Sequence, residues 1–97
     1  MKEITFQWDE NKNRANQKKH RVSFEEAKSV FYDENALQYF DSDHSEDEDR
    51  FLMLGLSARL RILLVSHCFR EKESAIRIIS ARNAREKERK EYSGRIR

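Results

Sequence analysis

Ile4, Phe6 and Trp8 alternate with Thr5 and Gln7, which predicts a short strand with its apolar side chains on one face. Asp9 then stands as a helix cap, and the almost wholly polar stretch to about His20 predicts a helix that shows no apolar stripe. A second helix has a fuller signature. Ser23 and Glu26 have capping-box spacing, Val22 and Ala27 sit where a hydrophobic staple would, and Phe24, Ala27, Val30 and Phe31 line one face. Four more strands follow, over residues 37–41, 51–57, 60–69 and 76–80, with turn chemistry at 33–35, 57–59 and 70–74 and an acidic loop before residue 51. Strands joined this closely pair antiparallel. Asn83 reads as the cap of a last helix, with Glu86 three residues on and Gly94 as its stop. The expected architecture is α+β, an antiparallel sheet of four to five strands with the two N-terminal helices on one face and one C-terminal helix.

The last apolar strand carries a feature that hydrophobicity alone does not explain. In Ala75-Ile76-Arg77-Ile78-Ile79-Ser80-Ala81-Arg82, alternation fixes Arg77 on a sheet surface and delivers Arg82 at the strand end. A guanidinium held this way suits an anion, although an edge-strand arginine facing water is an equal reading. If residues 70–74 form a five-residue connection, Phe69 faces Ala75 and His67 falls opposite Arg77 on the same face, in line with Arg61, Leu63 and Val65.

Composition narrows the setting. The chain of 97 residues is 37% hydrophobic and has no proline, enough for one domain with a modest core. No run approaches the roughly 20 apolar residues of a membrane span, and the start lacks a charged-then-apolar signal segment, so a cytoplasmic protein without membrane contact is expected. Cys68 is the single cysteine and adjoins His67 on a strand, where neighbours point to opposite faces; His20 and His44 are far apart. No zinc-ligand spacing is present, and no metal or cofactor is assigned.

The net charge of +2 conceals a segregation. Residues 11–21 hold Lys12, Arg14, Lys18, Lys19, Arg21 and His20 with no acid, whereas residues 41–49 hold Asp41, Asp43, Glu46, Asp47, Glu48 and Asp49 around His44. From Arg77 onward there are eight cations against three glutamates. Concentrated positive charge fits a nucleic-acid partner, although charge runs taken singly are more often solvated helix faces.

The chain resembles the BrnT family of type II toxin–antitoxin modules, small ribonucleases with a RelE-like fold. The residues that carry the resemblance run in order along nearly the whole chain. They begin with Phe6-Gln7-Trp8-Asp9, Asn16, Lys19-His20 and Val22 to Ala27, then Val30-Phe31 leading to Asp33. They continue with His44-Ser45-Glu46, Glu48, Arg50, Gly55, Ser57-Ala58-Arg59, the strand to His67, Ile76 to Arg82, Glu88-Arg89 and Tyr92. The resemblance implies a cytoplasmic ribonuclease toxin held in check by a ribbon-helix-helix antitoxin (BrnA-like), with the complex binding its operator DNA. Arg21, Asp47 and Leu60 depart from it, standing where the family commonly has glycine, the residue that takes positive φ at little cost.

Cutting RNA without a metal requires a base for the 2′-OH, an acid for the leaving oxygen and fixed cations for the phosphate charge. His20 and His67 are the acid or base candidates, with Glu48 an alternative base. Arg50, Arg77 and Arg82 are candidate phosphate clamps, Lys19 a backbone contact, and Tyr92 a stacking or hydrogen-bonding group. Each has a plainer alternative. His67 reads also as a packed strand residue, His20 as the cation of a helix C-terminus, Glu48 as a partner of Arg50, Arg82 as a strand-end cap or antitoxin contact, and Tyr92 as a helix residue closing onto the core. At the level of the whole chain, two non-enzymatic alternatives stand beside the nuclease: a nucleic-acid-binding module without catalysis, and a structural protein whose charged surfaces receive a partner.

Overall fold

The computed structural model describes residues 3–95. The elements run β1 (Thr5–Gln7), α1 (Glu10–His20), α2 (Phe24–Ser29), β2 (Leu37–Phe40), β3 (Phe51–Leu56), β4 (Ile62–Arg70), β5 (Ala75–Asn83) and α3 (Glu86–Arg95), with 3-10 turns at Val30–Tyr32 and Ser42–His44. The sheet order is β1-β5-β4-β3-β2. From β2 to β5 each strand pairs antiparallel with its neighbour in sequence, as short connections require. β1 differs: it pairs parallel with β5, in register Thr5 with Ala75 and Gln7 with Arg77. The sheet is therefore mixed rather than wholly antiparallel. Tight connections constrain only consecutive strands, and β1 is separated from its partner by most of the chain.

α1 and α2 cover one face, where Val22, Phe24, Ala27 and Val30 meet Leu63, Val65, Ile78 and Ala81 in a core closed to solvent. α2 starts as its cap predicts, Ser23 Oγ accepting from the Glu26 N–H at 3.0 Å. The return half of the capping box is not made. The Glu26 carboxylate turns away and accepts from Arg61 and from Ser57 Oγ. Burial raises its pKa, but the Arg61 and Ser57 hydrogen bonds outweigh that and hold it below the usual carboxylate value. Arg61 also donates to the Arg21 carbonyl at 3.0 Å, so one guanidinium just before β4 ties that strand's start to α2 and to the end of α1.

α1 docks by a device that periodicity does not reveal. Two buried asparagines, Asn13 and Asn16, replace an apolar stripe. Asn13 Oδ1 accepts from the Phe24 N–H at 2.9 Å. Asn16 donates to the carbonyls of Val22 and Ala81, each at 2.8 Å, and accepts from the Ala81 N–H at 3.1 Å. Its amide thus pairs with β5 beyond the point where β1 ends, satisfying both backbone groups of Ala81 as a neighbouring strand would.

Of the three positions where the family commonly has glycine, two take the backbone conformation glycine favours. Arg21 has φ 60° and Leu60 φ 62°, both left-handed, whereas Asp47 does not take positive φ. Arg21 closes α1 in this conformation, its N–H donating to the Gln17 carbonyl. Gly55 is needed for space instead of φ: a Cβ there would stand 2.9 Å from Val30 Cγ1 and 3.1 Å from Asp33 Oδ2.

Two expected helix boundaries shift. Asn83 is the last residue of β5, and the helix opens at Glu86 with the Arg85 N–H capped by Glu88 Oε1 at 2.8 Å. Gly94 lies within α3. This helix closes part of the second sheet face, burying Tyr92 and Ala84 with Leu54. The Tyr92 hydroxyl donates to Asp33 Oδ2 at 2.6 Å, and Tyr39 OH to Glu91 Oε1 at 2.7 Å.

The β4–β5 hairpin departs most from expectation. Its connection has four residues, Arg70 pairs with Ala75, and Cys68 lies opposite Arg77 while His67 lies opposite Ile78. A single-residue change of register moves a strand's side chains to the other face, so His67 and Arg77 stand on opposite faces. A bulge beside Ser66 and His67 then restores the partnership of Ser66 with Ser80 and Leu64 with Arg82.

Candidate functional site

The second face of the sheet is only partly covered by α3. The remainder forms an open cleft of about 640 Å³ floored by Leu52, Leu64, Ser66 and Ser80 from the three central strands. Three sequence candidates reach it from separate elements: His20 from the end of α1, Arg50 from the residue before β3, and Arg82 from the end of β5. Asn16 places His20, because the amide that grips Ala81 lies one helical turn before it. Arg82 is placed by Glu88, whose two oxygens accept from its two terminal nitrogens at 2.9 Å each. That bidentate pair, chiefly through its hydrogen bonds, holds the Glu88 carboxyl below its usual range.

The fourth wall is the loop between β2 and β3. Its ends are joined by the Asp41 N–H donating to the Arg50 carbonyl at 2.8 Å. Ser45 Oγ donates to the Asp41 carbonyl at 2.6 Å and accepts from the Arg50 N–H at 2.9 Å. The loop therefore bends back, bringing Asp41, Asp43 and His44 to the cleft, with His44 Nδ1 2.9 Å from Asp41 Oδ2. Arg85 completes the cationic rim. Imidazole and guanidinium groups on one concave surface suit the binding of a phosphodiester and the movement of its protons. Among the described residues, no three His, Cys, Asp or Glu side chains gather to hold a metal ion.

The other candidates lie elsewhere. His67 is fully buried beneath the N-terminal helices, its ring 4.8 Å from that of Phe31 and edge-on to it. Nδ1 lies 3.2 Å from the Val65 carbonyl and Nε2 3.1 Å from the Gln38 amide. Desolvation holds its pKa below the ordinary histidine value. Arg77 shares the cleft's side of the sheet but does not line the cleft. Glu48 pairs with Arg70 at 3.1 Å rather than with Arg50. Lys19 is exposed on α1, and Tyr92 is buried, its pKa pushed up to about 12 by burial and then by its bond to Asp33.

Asp41, His44 and Arg85 were the site residues that sequence reasoning passed over. Asp41 and His44 are three apart, a spacing that lets a short turn join carboxylate to imidazole, but six acids in nine residues make this loop read as solvated surface. In the sequence Arg85 is one cation among the eight of the terminal basic stretch, with nothing to single it out.

Residues 8–88 match the sequence profile of the family described as "Ribonuclease toxin, BrnT, of type II toxin-antitoxin system". Among solved structures, the crystal structure of the Brucella abortus ribonuclease toxin BrnT is similar over 89% of this chain and 100% of that one, with a TM-score of 0.62 and 25% identity. No curated protein matches the chain. With a mixed five-stranded sheet, an open cationic face and a family match over most of its length, the chain belongs to the BrnT family of ribonuclease toxins of type II toxin–antitoxin systems.

Proposed function

We propose that the protein is an endoribonuclease that cleaves RNA in the cytoplasm without a metal ion, inhibiting translation and growth until an antitoxin covers the cleft. The observation that carries this reading is the convergence of His20, Arg50 and Arg82 from three elements onto one uncovered sheet face. Arg50 and Arg82 offer planar, permanently charged donors to a phosphate, and His20 offers an imidazole that can donate or accept a proton. Arg77, on the same side of the sheet, and Lys19, on the exposed side of α1, extend positive charge along which an RNA backbone would track. The antitoxin is a ribbon-helix-helix protein that sets acids against Arg82, Arg85 and the final helix, and its dimer presents the complex to operator DNA. Charge complementarity would speed that association, and buried apolar contacts would supply most of the lasting affinity.

The test is purified protein mixed with single-stranded RNA in excess chelator. Cleavage that survives chelation and is lost in Arg50→Ala or Arg82→Ala protein is the expected result. RNA left intact until a divalent ion is added would overturn metal independence. Salt-sensitive binding with intact RNA under every condition would identify a binding module instead.

A further inference from the structure

His44 is tied to a carboxylate of its own loop. It lies at the end of the Ser42–His44 turn with Nδ1 against Asp41 Oδ2 at 2.9 Å, and the histidine is 66% exposed while the aspartate is 12% exposed. A largely sequestered carboxylate that holds Nδ1 fixes the tautomer and leaves Nε2 free at the solvent side, the arrangement by which a carboxylate orients an imidazole for proton transfer. The loop is clamped by Ser45 and Arg50, so the pair is fixed relative to the phosphate-binding arginine that follows it. Both residues line the same cleft as His20 and Arg82. His44 also borders the acidic side of the loop, where Asp43, Glu46, Asp47 and Glu48 stand with Arg50.

Resting on the ribonuclease reading above, we infer that His44 is the general base of the cleft, oriented by Asp41, and that His20 is the matching acid. In this step His44 Nε2 takes the 2′-OH proton and the 2′ oxygen bonds to phosphorus. The bond from phosphorus to the 5′ oxygen breaks, and that oxygen receives a proton from His20. The products are a 2′,3′-cyclic phosphate and a 5′-hydroxyl, with no co-reactant. The assignment of roles follows from the surroundings. The group that gains charge during the reaction is the one beside a carboxylate, whereas His20 sits in the last turn of α1, where the helix dipole favours a cation.

The test uses the full chain and two RNA substrates of one sequence, one ordinary and one with a sulfur in place of the bridging 5′ oxygen at the cleaved bond. A sulfur leaving group departs without protonation, so it relieves loss of the acid but not loss of the base. Expected are a fall of about 100-fold or more in kcat for His44→Ala on both substrates and, for His20→Ala, a fall on the ordinary RNA that the sulfur substrate largely restores. Asp41→Asn should lower kcat with KM unchanged and retain more activity than Asp41→Ala, since the amide still accepts from Nδ1–H. Because His44 is exposed, thermal melting of the His44→Ala protein should match the wild type. His44→Ala protein that cleaves ordinary RNA at the wild-type rate, or that the sulfur substrate rescues, would overturn the assignment. A wild-type protein that cleaves nothing would instead remove the reading on which it rests.

Discussion

Arg21 and Leu60 hold left-handed backbone without glycine's freedom, and non-glycine residues carry a steric cost there. Arg21 contributes its carbonyl, which any residue provides, and Leu60 is 79% exposed, so neither side chain offsets that cost through burial. Arg21→Gly and Leu60→Gly are each expected to stabilise by about 0.5–1 kcal/mol, read as a higher urea midpoint with unchanged slope. His67 supports a prediction of a different kind. Enclosed by Phe31, Phe51 and Phe69 on the helix-covered face, it fills core volume and bonds inward. His67→Leu is therefore expected to cost about 1–3 kcal/mol in stability while folded protein retains its RNA cleavage. Loss of cleavage without loss of stability would return His67 to the chemistry.

At the scale of elements, α1 depends on two amides where most helices depend on an apolar stripe. Asn16→Ala would leave the N–H and C=O of Ala81 and the carbonyl of Val22 without that partner, and a buried group so stranded costs about 1–3 kcal/mol. Asn16→Asp keeps the shape but cannot donate to either carbonyl, so it should be nearly as damaging in a denaturant titration. Both variants should also reduce cleavage beyond their effect on stability, because His20 rides on the same helix one turn later. An Asn16→Ala protein as stable as the wild type would show that α1 is held by other means. α3 is anchored at its opposite end by Tyr92 and Asp33, and its Glu88 aims Arg82, which makes this helix part of the cleft rather than an appendage.

Across the whole molecule the shifted groups set a pH window. His67 is depressed from its ordinary 6.5, so the stability tied to its neutral form is complete above that value and is lost as pH falls through the folded pKa. Glu26, Asp33 and Glu88 are likewise depressed, and their contributions are present above the ordinary carboxylate values and lost on further acidification. Tyr39 and Tyr92 are raised from 10.0 to about 12, so their contributions are full below 10 and are lost as pH rises through about 12. Burial raises Cys68 from its ordinary 9.0, so its contribution is full below that value and is lost as pH rises through the folded pKa. Stability should therefore plateau between roughly pH 7 and 9, and Tyr92→Phe should flatten the alkaline limb of urea midpoints. A midpoint still rising between pH 10 and 12 would contradict that sign.

Local chemistry alone determined much of this architecture. The cap at Asp9, the Ser23 cap with its apolar helix face, the alternating strands and their antiparallel succession are contacts between near neighbours, and the ordered family residues from Phe6 to Tyr92 carried the resemblance. Tertiary structure decided what depends on partners distant in sequence. The parallel seat of β1 beside β5, the docking of a polar helix by Asn16 and the capture of Glu26 by Arg61 each join segments 35 or more residues apart. One residue in the length of the β4–β5 connection decided that His67 faces the core and Arg77 the open side, since side-chain parity in a strand amplifies a single step into a change of face. The cleft is likewise a tertiary product. His20, the loop that carries His44 and Arg50, and Arg82 lie on three stretches of chain, and the fold alone makes them neighbours.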